Sequence, residues 1–312
     1  MKARKSHFFK LQDSLFKYFL IACSLIVVGL FVAIFLMLFE TSLPSIYQNG
    51  WSFLTGLVWD PNNNIFGALP AIAGTLISAA VATLVAIPLS IGIAIFFTEY
   101  APARSKLVLS LFIDLLAAIP SVIYGIWGLW IIAPLIKTNV EQPIIGAIGF
   151  IPLFSGPAYG LSIFLAIVIL TIMVIPIITA ITIELLSKTP VPLKEGMISL
   201  GATKSETIRH LGLPFARLGI VAAVILGLGR ALGETMAVTM VIGNSYYWPF
   251  SGYSIFAPAT TITSKIAGAV GEAGGLEFSA LLEMALILMV ISLAVNFISR
   301  SLIKRTSKRG FG

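Results

Sequence analysis

Six long apolar segments alternate with short polar connections along the chain. A bilayer core of about 30 Å needs about 20 apolar helical residues to cross it. The pattern therefore predicts six membrane-spanning helices, at approximately residues 18–39, 67–97, 107–136, 159–183, 215–243 and 278–299. Away from their ends, these segments carry only the charged residues Asp114, Arg230, Glu234 and Glu283.

Lysine and arginine cluster in alternate connections. They precede the first segment, join the second to the third and the fourth to the fifth, and follow the sixth: Lys2, Arg4, Lys5, Lys10, Lys17, Arg104, Lys106, Lys188, Lys194, Lys204, Arg209, Arg217, Arg300, Lys304, Arg305, Lys308 and Arg309. The other side holds only Lys137 and Lys265. Because positive residues are retained in the cytoplasm, we expect an all-α polytopic membrane protein with both termini cytoplasmic.

The first segment also has a basic leader, which is a feature of secretory signal peptides. Its 22 uncharged residues (18–39) exceed the usual apolar region of about 7 to 15 residues. The sequence Glu40-Thr-Ser-Leu-Pro offers no small-x-small cleavage site. We interpret the segment as an uncleaved membrane anchor, with a cleaved leader as the alternative.

Composition supports a membrane protein and limits the chemistry available to it. Hydrophobic residues make up 58% of the 312 positions, charged residues 11%, and the mean hydropathy is +1.02. The single cysteine, Cys23, excludes an intramolecular disulfide or a thiolate metal cluster. The histidines, His7 and His210, have no clustered carboxylates or thiols, so the sequence predicts no metal site, no catalytic site and no cofactor in this subunit. The net charge of +7 comes from basic residues whose distribution is explained by the membrane topology, so no nucleic-acid partner is expected.

The connection between the fourth and fifth segments, residues 188–214, is too polar to cross the membrane. Leu193, Met197 and Leu200 have helical spacing before Gly201, which predicts a short amphipathic helix that ends at this glycine. A second turn follows from Lys204, and Pro214 can open the fifth membrane helix at its first turn. Two short helices joined at a glycine would form a compact projection below the membrane.

At this loop the chain resembles the permeases of ATP-binding cassette (ABC) importers, whose cytoplasmic loop carries EAA, three residues, G, nine residues and I-x-L-P. The positions that match with the spacing intact are Glu195, Gly201, Leu213 and Pro214. Gly196 and Met197 stand where the family has two alanines, and Leu211 stands where it has isoleucine. The resemblance implies the type I ABC importer permease architecture and a coupling loop, residues 195–214, that inserts into an ATPase subunit. A surface amphipathic loop without a partner is the alternative.

Arg230 and Glu234 lie deep in the fifth apolar segment. Arg230 is 13 residues beyond Arg217, about 20 Å along a helix, which is beyond easy reach of the interface. Glu234 follows four residues later, so a continuous helix would place both on one face. We expect Arg230 to line the path of an anion while Glu234 tunes its charge. The alternative is a structural ion pair. Gly227, Gly229 and Gly233, which include a G-x-x-x-G spacing, predict close helix approach here.

Three segments resemble the phosphate-importing members of this family most specifically: residues 97–102, 117–125 and 227–243. The resemblance covers approximately residues 67–304 and implies that inorganic phosphate is the substrate. It also implies as partners a second permease subunit, an ATPase subunit dimer that binds ATP, and a periplasmic phosphate-binding protein, in the lipid of the bacterial inner membrane. A permease for another small oxyanion and a secondary anion transporter without an ATPase are the alternatives.

The chain divides accordingly into three parts. Residues 1–66 comprise the basic N-terminal segment, the first membrane helix and a periplasmic loop. Residues 67–304 form the permease core with the coupling loop at 188–214, and residues 305–312 form a basic cytoplasmic tail.

The topology predicts which positions react with a membrane-impermeant thiol reagent. In a variant with Cys23→Ser, a cysteine at position 204 should react only in inside-out vesicles, whereas one at position 63 should react in intact cells. Labelling at both positions in both preparations measures this. Reaction of position 204 from outside intact cells contradicts the proposed orientation.

Overall fold

Six helices are long and apolar enough to cross a membrane in the computed structural model, which describes residues 2–246 and 254–308. These candidate spans are Ser14–Asn49, Leu69–Tyr100, Ser121–Ile148, Ile163–Ser187, Lys204–Leu232 and Gly275–Ser301. The prediction of six spanning helices is confirmed. Part of the predicted external loop at 244–277 and the end of the predicted tail at 305–312 lie outside the described residues.

The described elements are almost all helical. In chain order the helices are α1 (Lys2–Asn49), α2 (Ser52–Thr55), α3 (Leu69–Ile95), α4 (Ala103–Ala118), α5 (Ser121–Trp127), α6 (Ala133–Ile136), α7 (Gln142–Ile148), α8 (Ile163–Ser187), α9 (Val191–Ser199), α10 (Lys204–Thr207), α11 (Leu213–Leu232), α12 (Met236–Val241), α13 (Ile262–Ala269) and α14 (Gly275–Lys308). Wider π-helical turns at Phe96–Tyr100, Gly128–Ile132, Lys137–Glu141 and Ile208–Gly212 join or extend some of them. A two-stranded antiparallel hairpin, β1 (Trp59–Asp60) and β2 (Ile65–Phe66), lies between α2 and α3.

The third predicted span, residues 107–136, is wrong in its bounds because it joins two separate helices. α4 ends at Ala118, and Ile119 is extended with φ −62° and ψ 126°. The ring of Pro120 disfavours the helical region for the residue before it, so the chain turns there. The third span instead begins at Ser121 and continues through two π-helical turns to Ile148.

α8 is the centre of the bundle, and it packs against both α3 and α11. Ala79, Ala82 and Ala86 of α3 are completely buried in this core. They recur every three or four residues, so one face of α3 is made of small side chains that allow close contact. The close contact leaves most of α8 enclosed by protein.

Two hydroxyl groups connect α3 and α8 across this interface. The Ser90 hydroxyl donates to the Ile175 carbonyl oxygen at 3.2 Å, and the Thr171 hydroxyl lies 3.3 Å from the Ala82 carbonyl oxygen. In a bilayer there is no water to satisfy such groups, so interhelical hydrogen bonds replace it. They add direction to an otherwise apolar interface.

Of the three glycines predicted to allow close helix approach, Gly227 lies at a close contact between α8 and α11, whereas Gly229 and Gly233 do not. A Cβ at Gly227 would lie 2.8 Å from Val174 Cγ1 and 3.1 Å from Ile178 Cδ1. A Cβ at Gly229 would meet nothing within 4 Å. A Cβ at Gly233 would meet only backbone oxygens of the preceding helical turn. The interface with α8 therefore uses Gly227, two residues before Gly229.

The close contact at Gly227 predicts that a valine there destabilises the protein more than a valine at a glycine with free space around it. Gly227→Val should destabilise the bundle by about 1–3 kcal/mol, because the new methyl groups force α8 and α11 apart. Gly92→Val is the matched control, since a Cβ at Gly92 in α3 meets nothing within 4 Å. The measurement is the temperature at which detergent-purified protein loses its monodisperse elution peak. Equal midpoints for the two variants contradict the close contact.

Candidate functional site

The coupling loop has the shape that the sequence predicts. α9 ends at Ser199, and Gly201 takes φ +89°, a left-handed conformation that favours glycine. Hydrogen bonds from Gly201 N to the Ile198 carbonyl (2.9 Å) and from Ala202 N to the Met197 carbonyl (3.1 Å) close the end of the helix. The chain then reverses into α10, so two short helices meet at a glycine bend.

The fifth span begins earlier than predicted. Thr203 and Glu206 form a reciprocal capping box, and the helix runs from Lys204 through the π-helical turn to Leu232. Pro214 lies in the first turn of α11, as predicted, directly after the wide turn in which Leu213 N donates to the Ile208 carbonyl oxygen. The I-x-L-P part of the motif marks this wide turn, since proline supplies no N–H to a regular helical ladder.

Several apolar side chains of the coupling loop are not covered by the rest of the chain. Val191, Leu193 and Ile198 of α9 are more than half exposed, and Leu200 is 89% exposed. The motif residues Glu195, Gly196 and Gly201 are exposed on the same short segment. Several exposed aliphatic side chains on a polar loop are typical of a protein interaction surface.

Arg230 and Glu234 do not share a helix. α11 ends at Leu232, and Glu234 lies in the connection to α12. The Glu234 carboxylate accepts a hydrogen bond from Ala237 N at 3.2 Å, and its backbone carbonyl accepts one from the Thr263 hydroxyl at 2.8 Å. The side chain that a continuous helix would place beside Arg230 is thus turned towards α12 and is only 8% exposed.

Arg230 forms no side-chain hydrogen bond or ion pair with the described side chains, which are those of residues 14–102, 104–246 and 254–301. It is exposed in the last turn of α11, where the helix dipole favours a positive charge, and Tyr124 of α5 lies within electrostatic range. The ion pair with Glu234, which was the alternative to a path-lining role, is therefore not formed in this structure. The guanidinium group remains available to a partner or an ion.

Four hydroxyl residues that the sequence analysis did not select surround the start of α13. Thr260, Thr261, Thr263 and Ser264 are all buried, and they bond to one another and to the backbone. The connection before α13 is held to α3 by a bond from Ile262 N to the Thr75 hydroxyl (2.9 Å). The sequence feature that could have identified this cluster is the run Thr260-Thr-Ile-Thr-Ser264. Through Thr263 this polar cluster contacts the Glu234 backbone.

Glu141 is a second residue that the sequence analysis missed. It is completely buried, and its carboxylate accepts hydrogen bonds from Gly160 N (2.8 Å) and the Ser162 hydroxyl (3.1 Å). Ser162 in turn caps α8 by accepting from Leu165 N. Glu141 therefore fixes the entry into the central helix. Its position between apolar segments resembled an ordinary external loop.

Among the described residues, no group of three or more histidine, cysteine, aspartate or glutamate side chains is arranged to hold a metal ion. The candidate functional features are instead a cation in the last turn of α11, a hydroxyl cluster that contacts the Glu234 backbone, and an exposed apolar loop that precedes α11. A family model described as binding-protein-dependent transport system inner membrane component matches residues 86–308. The chain belongs to this family.

Relatives within this transport family have closely similar lengths. The chain is 45% identical over 297 residues to the phosphate transport system permease protein PstC of Haemophilus influenzae, covering 94% of this chain and 93% of that one. It is 43% identical to the PstC of Mesorhizobium japonicum (96% and 93% covered) and 39% identical to the probable PstC of Methanocaldococcus jannaschii (93% and 93%). The chain is thus a multi-pass inner-membrane permease.

Solved transport structures share the fold. A bacterial alginate ABC transporter, in complex with an alginate-bound periplasmic protein, aligns with a TM-score of 0.63 at 15% identity, covering 95% of this chain and 98% of that one. The MetNI methionine ABC transporter in inward-facing conformations aligns with a TM-score of 0.54 at 19% identity, covering 82% and 96%. At these identities the comparison supports the ABC importer permease architecture alone.

The left-handed bend of the coupling loop predicts different effects for two neighbouring glycines. Gly201→Ala should lower phosphate import about fivefold or more, because a Cβ costs about 1–2 kcal/mol in this conformation. Gly196→Ala should leave import near the parental value, since Gly196 is helical and a Cβ there meets nothing within 4 Å. Uptake in cells with equal membrane levels of each variant measures this. Equal uptake by both variants contradicts a conformational requirement at the bend.

Proposed function

We propose that this chain is one of two channel-forming subunits of an ATP-driven importer that moves inorganic phosphate from a periplasmic binding protein to the cytoplasm. The observation that carries the proposal is 45% identity over 94% of the chain to a phosphate transport system permease. The substrate follows from this relationship, since an exposed arginine in a membrane span supports only an anion of some kind.

The exposed apolar loop supports an ATPase partner. Its aliphatic side chains, Leu193, Ile198 and Leu200, lie on a loop that the lysine and arginine distribution assigns to the cytoplasm. Burying them against another protein would remove their contact with water. In this proposal an ATPase dimer binds ATP and docks on the loop, and this subunit binds no ATP and needs no cofactor.

Arg230 is the residue that would meet phosphate within the membrane. A charge inside a bilayer costs at least about 2.5–3.5 kcal/mol on insertion scales, so it is retained where it faces a cavity or a partner. Arg230 is exposed at the end of α11 without an ion-pair partner in the described chain. Guanidinium groups bind phosphate oxygens through paired hydrogen bonds. The second permease subunit would complete the path around it.

A secondary anion transporter is the competing function. Such a protein has no use for the projection at residues 188–214 and its exposed apolar side chains. Purification from detergent distinguishes the two: an ATP-hydrolysing subunit should remain bound to the parent protein and be lost when Leu193 and Ile198 are both replaced by aspartate. Proteoliposomes of the complex should then import labelled phosphate only with ATP and the binding protein present. Preferred uptake of sulfate or another oxyanion would change the assigned substrate.

Neutral variants of Arg230 and Glu234 separate a path residue from a structural one. Arg230→Gln should abolish phosphate uptake, because glutamine cannot replace the charge that compensates the ion for its lost hydration. The double variant Arg230→Gln with Glu234→Gln should assemble normally and remain inactive, since Arg230 and Glu234 form no pair to relieve. Glu234→Gln is the matched control, because its amide oxygen can still accept from Ala237 N. Recovery of uptake in the double variant would show that the two residues act as a structural pair.

A further inference from the structure

The turn Thr98-Glu99-Tyr100 lies where the second span ends, in the π-helical turn Phe96–Tyr100. It belongs to residues 97–102, one of the three segments that resemble the phosphate-importing members of the family. Neither the proposed ATPase docking nor the proposed role of Arg230 accounts for the contacts of this turn. A lysine of the next helix, α4, holds the backbone of this turn: Lys106 Nζ donates to the Thr98 carbonyl oxygen at 2.9 Å. The turn is thus a firm end to the second span.

Both helices of the coupling loop are attached to this turn by lysines. Lys194 of α9 forms an ion pair with Glu99, with Nζ 2.5 Å from Oε1. Lys204, the first residue of α10, donates to the Glu99 backbone carbonyl and lies over the Tyr100 ring, 4.6 Å from its centroid. Gly201 lies between the two lysines, so one turn of the second span contacts the loop on each side of its bend.

The ion pair is sheltered and bridges distant parts of the chain. The side chains of Lys194 and Glu99 are only 25% and 17% exposed. The other ion pair among the described side chains, those of residues 14–102, 104–246 and 254–301, joins Lys188 to Glu184 at 2.6 Å, four residues apart at the end of α8, with side chains 64% and 66% exposed. Sheltered charge pairs are screened less by salt and bind more strongly than exposed ones.

Space remains between the loop and the membrane helices. A cavity of about 340 Å³ is lined by Glu99, Lys194, Lys204, Ile198, Thr207 and Ile208, among others. Because this region is not filled by packed side chains, the charged contacts to Glu99 and Tyr100 connect the loop to the second span. A movement of the loop is then carried to α3 through these contacts, and α3 packs directly on the central α8.

We propose that Glu99 is a positioning residue that transmits movement of the ATPase-docked coupling loop to the second membrane span. The proposal rests on the proposed docking of an ATPase to this loop. It assigns to Glu99 a role in the efficiency of energy coupling, distinct from ATPase binding and from contact with phosphate.

The test uses the full importer in proteoliposomes, with ATP hydrolysis and labelled phosphate uptake measured on the same vesicles. Glu99→Gln should retain the bound ATPase but lower the phosphate moved per ATP hydrolysed about tenfold, the effect of losing one charge-assisted hydrogen bond. Glu184→Gln, which breaks the exposed pair, is the matched control and should keep the parental ratio. The exchanged pair Glu99→Lys with Lys194→Glu should recover at least about half of that ratio, because it restores the attraction.

Three results overturn the inference. They are a parental ratio in Glu99→Gln, loss of the ATPase subunit from that variant in proportion to its lost uptake, and failure of the exchanged pair to recover the ratio. The first refutes a role in transmission, the second shows that Glu99 acts in docking, and the third shows that the ion pair is not the connection. A parent complex without ATP-dependent uptake would instead refute the proposed function itself.

Discussion

The absence of water in the bilayer is the constraint on which this structure depends. Each backbone N–H and C=O in the membrane must find a partner within the protein, and a helix supplies it locally. Side chains supply further hydrogen bonds, both between neighbouring helices and where the chain leaves a helix. Ser90 and Thr171 bond to carbonyls of the facing helix, and Glu141 satisfies the N–H of Gly160 and the Ser162 hydroxyl at the entry to α8.

Small residues then decide how closely the helices pack. The alanines of α3 and Gly227 of α11 allow both helices to approach α8, which makes α8 the most enclosed span. This packing fixes the axis of α11 and so the place where Arg230 emerges at its end. The break after Leu232 is equally important, because it directs Glu234 to the N-terminus of α12 and leaves the guanidinium group of Arg230 uncompensated by that carboxylate.

Charge and packing have separate roles at the coupling loop. The loop keeps its aliphatic side chains exposed, while Lys194 and Lys204 bind a turn of the second span beside a cavity. A loop held by polar contacts can move without repacking a core, whereas the helices above it cannot. This division suits the proposed docking of an ATPase on the loop.

The sequence alone determined the number of spans, their assignment to the membrane and the glycine bend of the coupling loop. Each depends on local patterns: about 20 apolar residues for a span, and a residue without a Cβ for φ +89°. Sequence did not determine that residues 107–136 form two helices or that Arg230 and Glu234 are separated. A short break within apolar residues leaves hydropathy unchanged, and a proline does not by itself end a helix, since Pro88 and Pro176 lie inside α3 and α8 while Pro120 follows a break. The burial of Glu141, the hydroxyl cluster at 260–264 and the contacts of Glu99 were decided by tertiary structure. They join residues that are far apart along the chain, and only packing of the helices brings such residues within hydrogen-bond distance.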